Sequence, residues 1–307
     1  MKKSAIALIV GSLFLAAGAA QAKEGGDQSA PGAENWMAGA LPPAGFYFKN
    51  YLGHYGGKLQ DDKGHDAKPG GVGARADVNF DVLRFIYVTN IKILGGDYAV
   101  QAFLPVVNQS LSIAPLGGRA SKSGIGDMFF TPVAIGWHHS PELHTIAALD
   151  VFLPTGEYDK NDPARSLGSN YVAYEAVYAV TWLPKGNWEV TGKFMYNMKQ
   201  KNGDTKYQSG DEFHMDYLVG KKYGDWGFGL AGYYLKQLDS DKQNGVVVPA
   251  VQGLRSAGNK GQVFAIGPSV KYSTKTGTTF MAQWQREMAV ENRFQGDKLW
   301  FNVVMPL

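Results

Sequence analysis

The chain has 307 residues, of which 45% are hydrophobic and 13% aromatic, with 39 glycines, no cysteine and a formal net charge of +3. That near-neutral balance excludes the basic surface on which nucleic-acid binding depends, and the lack of cysteine excludes a disulfide framework. Glycine and aromatic residues at these levels suit strands and turns.

Met1-Lys2-Lys3 precedes an apolar run from Ala5 to Ala20 and the small-residue stretch Ala20-Gln21-Ala22. These are the three parts of an export signal, so residues 1–22 are expected to be a cleaved signal peptide. Removing Lys2 and Lys3 with it lowers the net charge from +3 to +1. Past this point no stretch approaches the roughly 18 uninterrupted apolar residues that a membrane helix needs. Membrane residence therefore requires a closed barrel, the other architecture that satisfies every backbone group in lipid. Residues 23–43 are polar, rich in glycine and contain proline, which predicts a flexible periplasmic segment without a helix of consequence.

From residue 44 to 307 the pattern is one of strands, about twelve of them. They are expected over 44–54, 75–89, 96–107, 124–138, 143–153, 169–182, 187–199, 211–222, 226–238, 260–273, 278–288 and 297–307. Period two decides the type. Trp188, Val190, Phe194, Tyr196 and Met198 share one face, opposite Glu189, Thr191, Lys193 and Asn197, whereas a helix would mix the two sets. The connections alternate between long, as in Tyr55 to Ala74 and Asp239 to Asn259, and short, as in Leu183 to Gly186 and Tyr223 to Asp225. Long extracellular loops, short periplasmic turns and an even strand count define an outer-membrane barrel. The final segment, with Leu299, Phe301, Val303, Met305 and Leu307 on one face, is expected to close the barrel on its first strand. A soluble sandwich would alternate as well, but it gives no reason for Trp182, Trp188, Trp226 and Tyr272 to face outward beside the short turns, where a membrane barrel carries an aromatic girdle. The fold class read from the sequence is all-β, a transmembrane antiparallel barrel in the bacterial outer membrane.

Several segments, Glu34-Asn35-Trp36, Leu41-Pro42-Pro43-Ala44-Gly45-Phe46-Tyr47-Phe48, Leu59-Gln60-Asp61-Asp62-Lys63-Gly64, Gly124-Ile125-Gly126-Asp127 with Pro132 and Trp137-His138, and Phe152-Leu153-Pro154-Thr155-Gly156-Glu157-Tyr158, together carry a resemblance. The sequence resembles the outer-membrane proteins described as involved in the meta-pathway of phenol degradation, and within them the sphingosine-uptake type. The resemblance covers essentially the whole mature chain. It implies a barrel linked to uptake of apolar or aromatic growth substrates and no catalytic step.

Other motifs point away from chemistry. Gly227, Gly229 and Gly232 spell G-x-G-x-x-G, but inside an alternating strand rather than between strand and helix, so they read as lumen room and strand bending. His138 and Ser140 have the spacing found in the outer-membrane phospholipase, yet Pro141 follows at once and the pair falls at a predicted periplasmic turn. His138 and His139, with His144 nearby, do not suggest a shared metal, because adjacent strand residues face opposite ways. The run Asp61-Asp62-Lys63-Gly64-His65-Asp66 lacks the spacing of a calcium loop and reads as a solvated loop.

What remains is the barrel interior. Inward positions are predicted for Lys49, Asp77, Asp81, Asp127, Asp150, Glu175, Glu189, Lys193, Glu212, Asp216, Lys271, Glu287 and Lys298, with Tyr47, Tyr51 and Tyr171 as aromatic steps or as barrel filling. Charges of both signs either line a watery path or knit a closed interior, and the sequence leaves both open. The function expected is passive or facilitated uptake of small hydrophobic, aromatic or amphipathic solutes, without metal or cofactor, with outer-membrane lipid as the surrounding partner. The alternatives are a lipolytic barrel enzyme and a closed structural barrel. Oligomeric state is not encoded in any motif.

Overall fold

The structure is a computed structural model that describes residues 27–113 and 118–307; the expected signal peptide lies outside the described residues. Sixteen strands follow one another: β1 Gly45–Leu59, β2 Arg75–Ile93, β3 Gly96–Ile113, β4 Gly118–Ile125, β5 Phe129–Ser140, β6 Leu143–Phe152, β7 Ala173–Trp182, β8 Trp188–Lys199, β9 Tyr207–Gln208, β10 Glu212–Tyr223, β11 Trp226–Gln237, β12 Lys242–Gln243, β13 Val246–Val247, β14 Gln262–Ser273, β15 Thr279–Glu291 and β16 Phe294–Pro306. β9, β12 and β13 form a small sheet in the loops. The others form a closed antiparallel barrel of 12 wall strands, in which β4 and β5 together make one strand.

Closure falls where the sequence places it. β1 pairs with β16 from Tyr47 opposite Pro306 to Leu59 opposite Phe294, and on its other side with β2. Antiparallel neighbours are joined by the short turns. At the β2–β3 hairpin Leu94 and Gly95 both take positive φ, 50° and 79°, the backbone twist that matches a two-residue turn to the strands it joins.

The wall strand expected over 124–138 differs from expectation. It starts earlier, at Gly118, and breaks at 126–128; β4 pairs with the upper half of β3 and β5 with the lower half. Ser110, Ser112, Ser121 and Ser123 lie in that upper extension. These serines face outward while Leu111 and Ile113 turn inward, so the ladder persists where the outward face is no longer hydrophobic.

Outward faces carry the belt. Phe194, Tyr196, Phe228, Leu230, Leu299 and Phe301 are exposed, and Trp182, Trp188, Tyr223 and Trp226 ring the end with the short turns. Such a belt, flanked by aromatic residues, is built for the outer membrane. The core lies inside the barrel: Leu41, Ile86, Val88, Ala99 and Ala134 form one cluster, and Trp36, Leu218, Ala231 and Met281 another.

Two of these residues, Leu41 and Trp36, belong to the segment expected to be a flexible periplasmic tail. From Asp27 onward that segment instead runs inside the barrel, and Trp36 is only 5% exposed. The physical reason is local. Gly220 and Gly227 leave the space that the Trp36 ring fills, since a Cβ at either would meet it within 3.0 Å. Lys271 lies 4.5 Å from that ring's centre, and the indole N–H donates to Ser269 at 2.9 Å.

The neighbouring positions Lys193 and Phe194 test the wall. Phe194→Arg places a charge in hydrocarbon at a cost of about 2–4 kcal/mol near the midplane, and is expected to reduce the folded, fast-migrating band of unheated samples on SDS gels. Lys193→Ala is expected to keep that band. The opposite result would reverse the two faces.

Candidate functional site

The lumen segment is held mainly by its own backbone. The N–H groups of Gly32 and Glu34 donate to the two carboxylate oxygens of Asp216 at 2.8 and 3.1 Å. The N–H of Met37 donates to Glu189 at 2.6 Å and that of Gly39 to the Thr181 hydroxyl at 2.9 Å. In the other direction Lys298 donates to the Pro31 carbonyl at 3.0 Å and Asn302 to the Ala33 carbonyl at 3.1 Å. An irregular chain inside a barrel has no ladder to pair its amides, and wall side chains supply the missing partners.

Among the described residues two carboxylates of the segment are ion-paired to the wall, Asp27 with Arg293 and Glu34 with Lys49 and Arg84. Lys49 lies 2.8 Å from the Glu34 carboxylate, and Arg84 and the Tyr51 hydroxyl also donate to it. Arg84 in turn donates to Gln101 at 2.6 Å.

Above this segment lies a cavity of about 420 Å³, within the range of ligand pockets. Its two sides differ. β2, β3 and β5 contribute Val78, Phe80, Val82, Phe103, Pro105 and Phe129, and β16 contributes Trp300. Phe103 stacks on Phe129 with ring centres 3.9 Å apart, Phe129 on Phe152 at 4.5 Å, and Phe80 meets Trp300 edge-on at 4.7 Å. The charged part of the lining is Asp150, Glu175, Lys193, His214, Asp216, Glu287 and Lys298, on the strands from β6 round to β16, and the segment contributes Asp27 to Pro31, Ala33 and Glu34.

The predicted inward residues separate into groups. Tyr51, Asp150, Glu175, Lys193, Asp216, Glu287 and Lys298 line the cavity. Lys49 pairs with Glu34, and Glu189 holds both Met37 and, at 3.2 Å, Lys271. Glu212 is buried against Lys199 at 2.7 Å. Tyr47 sits near the chain's entry and donates to the Pro43 carbonyl at 2.8 Å. Tyr171 packs with Phe152 and Ala173 and does not border the cavity. Asp127 borders it from the break between β4 and β5, where its carboxylate accepts the N–H groups of Gly156 and Ser169 at 2.9 and 2.7 Å.

Asp77 and Asp81 need correction: both face outward. On β2 the residues that line the cavity are Ala76, Val78, Phe80 and Val82, so Asp77 and Asp81 fall on the other face, and Asp81 accepts a hydrogen bond from outward-facing Asn50. The rule of polar inside and apolar outside inverts here because the cavity wall that β2 faces is apolar.

Residues not singled out from the sequence complete the site: Arg84, Lys199, Arg293 and the aromatic set Phe80, Phe103 and Phe129. Arg293 donates to Asp27 at 2.6 Å. The only signal for the segment itself was Glu34-Asn35-Trp36, a tryptophan with two hydrogen-bonding neighbours in a tract otherwise fit for a linker.

The motifs set aside above have structural roles. Ser140 accepts the N–H groups of Glu142 and Leu143 at 3.2 and 3.1 Å, and His138 meets His144, not Ser140, at 2.7 Å. In the loops, the N–H groups of His65 and Lys63 hold the Asp61 carboxyl below the usual carboxylate range. Burial, and the Asp241 carboxylate to which it donates, push the Tyr207 phenol far above its ordinary value. Among the described residues no group of three or more histidines and acids is arranged to hold a metal ion.

Over residues 56–303 the sequence matches the family described as "Putative MetA-pathway of phenol degradation". The chain belongs to this family. No curated protein matches the sequence. Among solved structures, the COG4313 outer membrane channel from Pseudomonas putida F1 is similar, with a TM-score of 0.72 at 16% identity over 87% of this chain and 97% of that one. The translocator domain of the autotransporter NalP from Neisseria meningitidis gives 0.49 at 11% identity over 87% and 90%. The TodX monoaromatic hydrocarbon channel gives 0.45 at 11% identity over 88% and 91%. The first of these establishes the barrel fold for this family member.

Glu34→Gln keeps the shape of the anchor and leaves Lys49 and Arg84 without a countercharge. Breaking a buried pair from one side costs about 3–5 kcal/mol, so the segment is expected to undock, seen as larger and more frequent openings in planar-bilayer recordings. Unchanged recordings would mean that the backbone contacts alone hold it.

Proposed function

We propose that the protein is an outer-membrane channel for small hydrophobic or aromatic compounds, that the lumen residues named above form its path, and that it acts without catalysis. The observation that carries this reading is the two-sided cavity. Stacked phenylalanines offer an apolar or aromatic solute a dry face, while the charged part of the lining keeps water and polar groups in reach. A purely polar solute would leave the aromatic side unfilled, and a structural barrel has no use for a cavity of ligand size. The Pseudomonas putida barrel of the same plan is itself named an outer membrane channel.

The mechanism follows from the layers. A solute sheds water on entering among the loops, rests against Phe80, Phe103 and Phe129, and passes toward the periplasm when the segment around Glu34 gives way. Because the segment is held by side-chain contacts and not by a row of ladder bonds, it can be released while the β ladder stays intact.

Against the lipolytic alternative, the Ser140 hydroxyl caps its own turn and His138 meets His144 instead of Ser140. Phe129→Ala removes the middle ring of the stack formed with Phe103 and Phe152 and leaves Arg84, which lies 5.0 Å from the Phe103 ring, on its partners. It is expected to lower flux of a monoaromatic solute into proteoliposomes about ten-fold, the effect of roughly 1.4 kcal/mol, with little change in ion conductance. Equal flux through the variant would remove the aromatic wall from the path.

A further inference from the structure

We infer that Lys221 and its aromatic neighbours form a docking site for the headgroup phosphate of a phospholipid of net negative charge in the periplasmic leaflet. Lys221 lies on β10 between Trp188 of β8 and Phe228 of β11 in the register of the sheet. Trp188 and Phe228 are lipid-facing, so Lys221 shares their outward face. Its Nζ is 5.2 Å from the centre of the Trp188 ring and 5.6 Å from that of Tyr223, and both rings are exposed toward the membrane.

The next residue provides the contrast. Lys222 points inward and lies 3.5 Å from buried Glu189, whereas among the described residues no carboxylate lies within ion-pair distance of Lys221. The short turns at this end carry Lys185 before Trp188 and the acids Glu142 and Asp225. A lysine in a belt of aromatic residues runs its methylene stem along the rings and brings its ammonium to the headgroup level. At that level, beside the short periplasmic turns, the available counterion is a lipid phosphate. The ammonium can meet it as a point charge, and the Trp188 indole N–H can donate from the side. An interfacial cation of this kind is worth about a five-fold preference for an anionic lipid.

The purified barrel, reconstituted in nanodiscs of phosphatidylcholine with one part in five of phosphatidylglycerol, is to be released and its retained lipids counted by native mass spectrometry. Wild type and Lys221→Arg are expected to retain phosphatidylglycerol over phosphatidylcholine about five-fold beyond its share, and Lys221→Gln to lose that enrichment while keeping the heat-modifiable band. Equal retention by wild type and Lys221→Gln, or no enrichment in wild type, overturns the site. Displacement of the lipid by millimolar inorganic phosphate would show that the lysine reads free phosphate, and overturns the lipid assignment.

Discussion

Every backbone amide in the hydrocarbon layer must find a partner within the protein, and the pairing of β1 with β16 is what makes that possible. Once the ring is closed no strand edge meets lipid, and the same closure sets the problem that the interior has to solve. Side chains of alternate residues are turned inward whether or not a solute is present, and many of them are charged. Part of the interior is filled by apolar clusters and part by pairs such as Lys199 with Glu212. The rest accepts hydrogen bonds from a length of irregular chain. The wall carboxylates Asp216 and Glu189 and the backbone of residues 32–37 thus satisfy each other, and neither would be comfortable alone.

The strands were legible because period two survives wherever one face meets lipid. Trp188 to Met198 alternate cleanly, and the structure keeps that strand nearly residue for residue. Legibility failed where the contrast between the faces failed. On β2 the run Ala76, Asp77, Val78, Asn79, Phe80, Asp81 alternates well, but its apolar residues face the cavity, so the pattern gave the correct element with the faces exchanged. Along β3 and β4 the ladder continues through serines and asparagines that carry no hydrophobic signal at all.

The internal segment was illegible for a different reason. Its composition is that of a linker, and composition reports on what a chain can bury against itself. What docks it is a set of contacts spread over β1, β2, β7, β8, β10, β14, β15 and β16, strands that lie far along the chain from the segment and meet it only once the barrel has closed. The cavity shared this fate: Phe80, Phe103 and Phe129 lie on three strands and look like ordinary barrel filling until the register brings their rings together. The one long-range link that left a trace is Asp127 with Gly156, where two glycine-containing motifs, each of modest meaning alone, meet at the break in the wall.

That break has a mechanical consequence. The outer edge of β4 is not in the ladder; Asp127 bridges it to the loop at Gly156 and Ser169, and Lys122 reaches Glu157 at 2.7 Å. A hoop held elsewhere by cooperative rows of backbone bonds is fastened here by a few separate clasps, so deformation of the cylinder concentrates at this joint. Tension applied around the circumference would part the clasps before any ladder. The barrel therefore has a preferred line along which it can ovalise, and the stacked rings of Phe103 and Phe129 lie beside it.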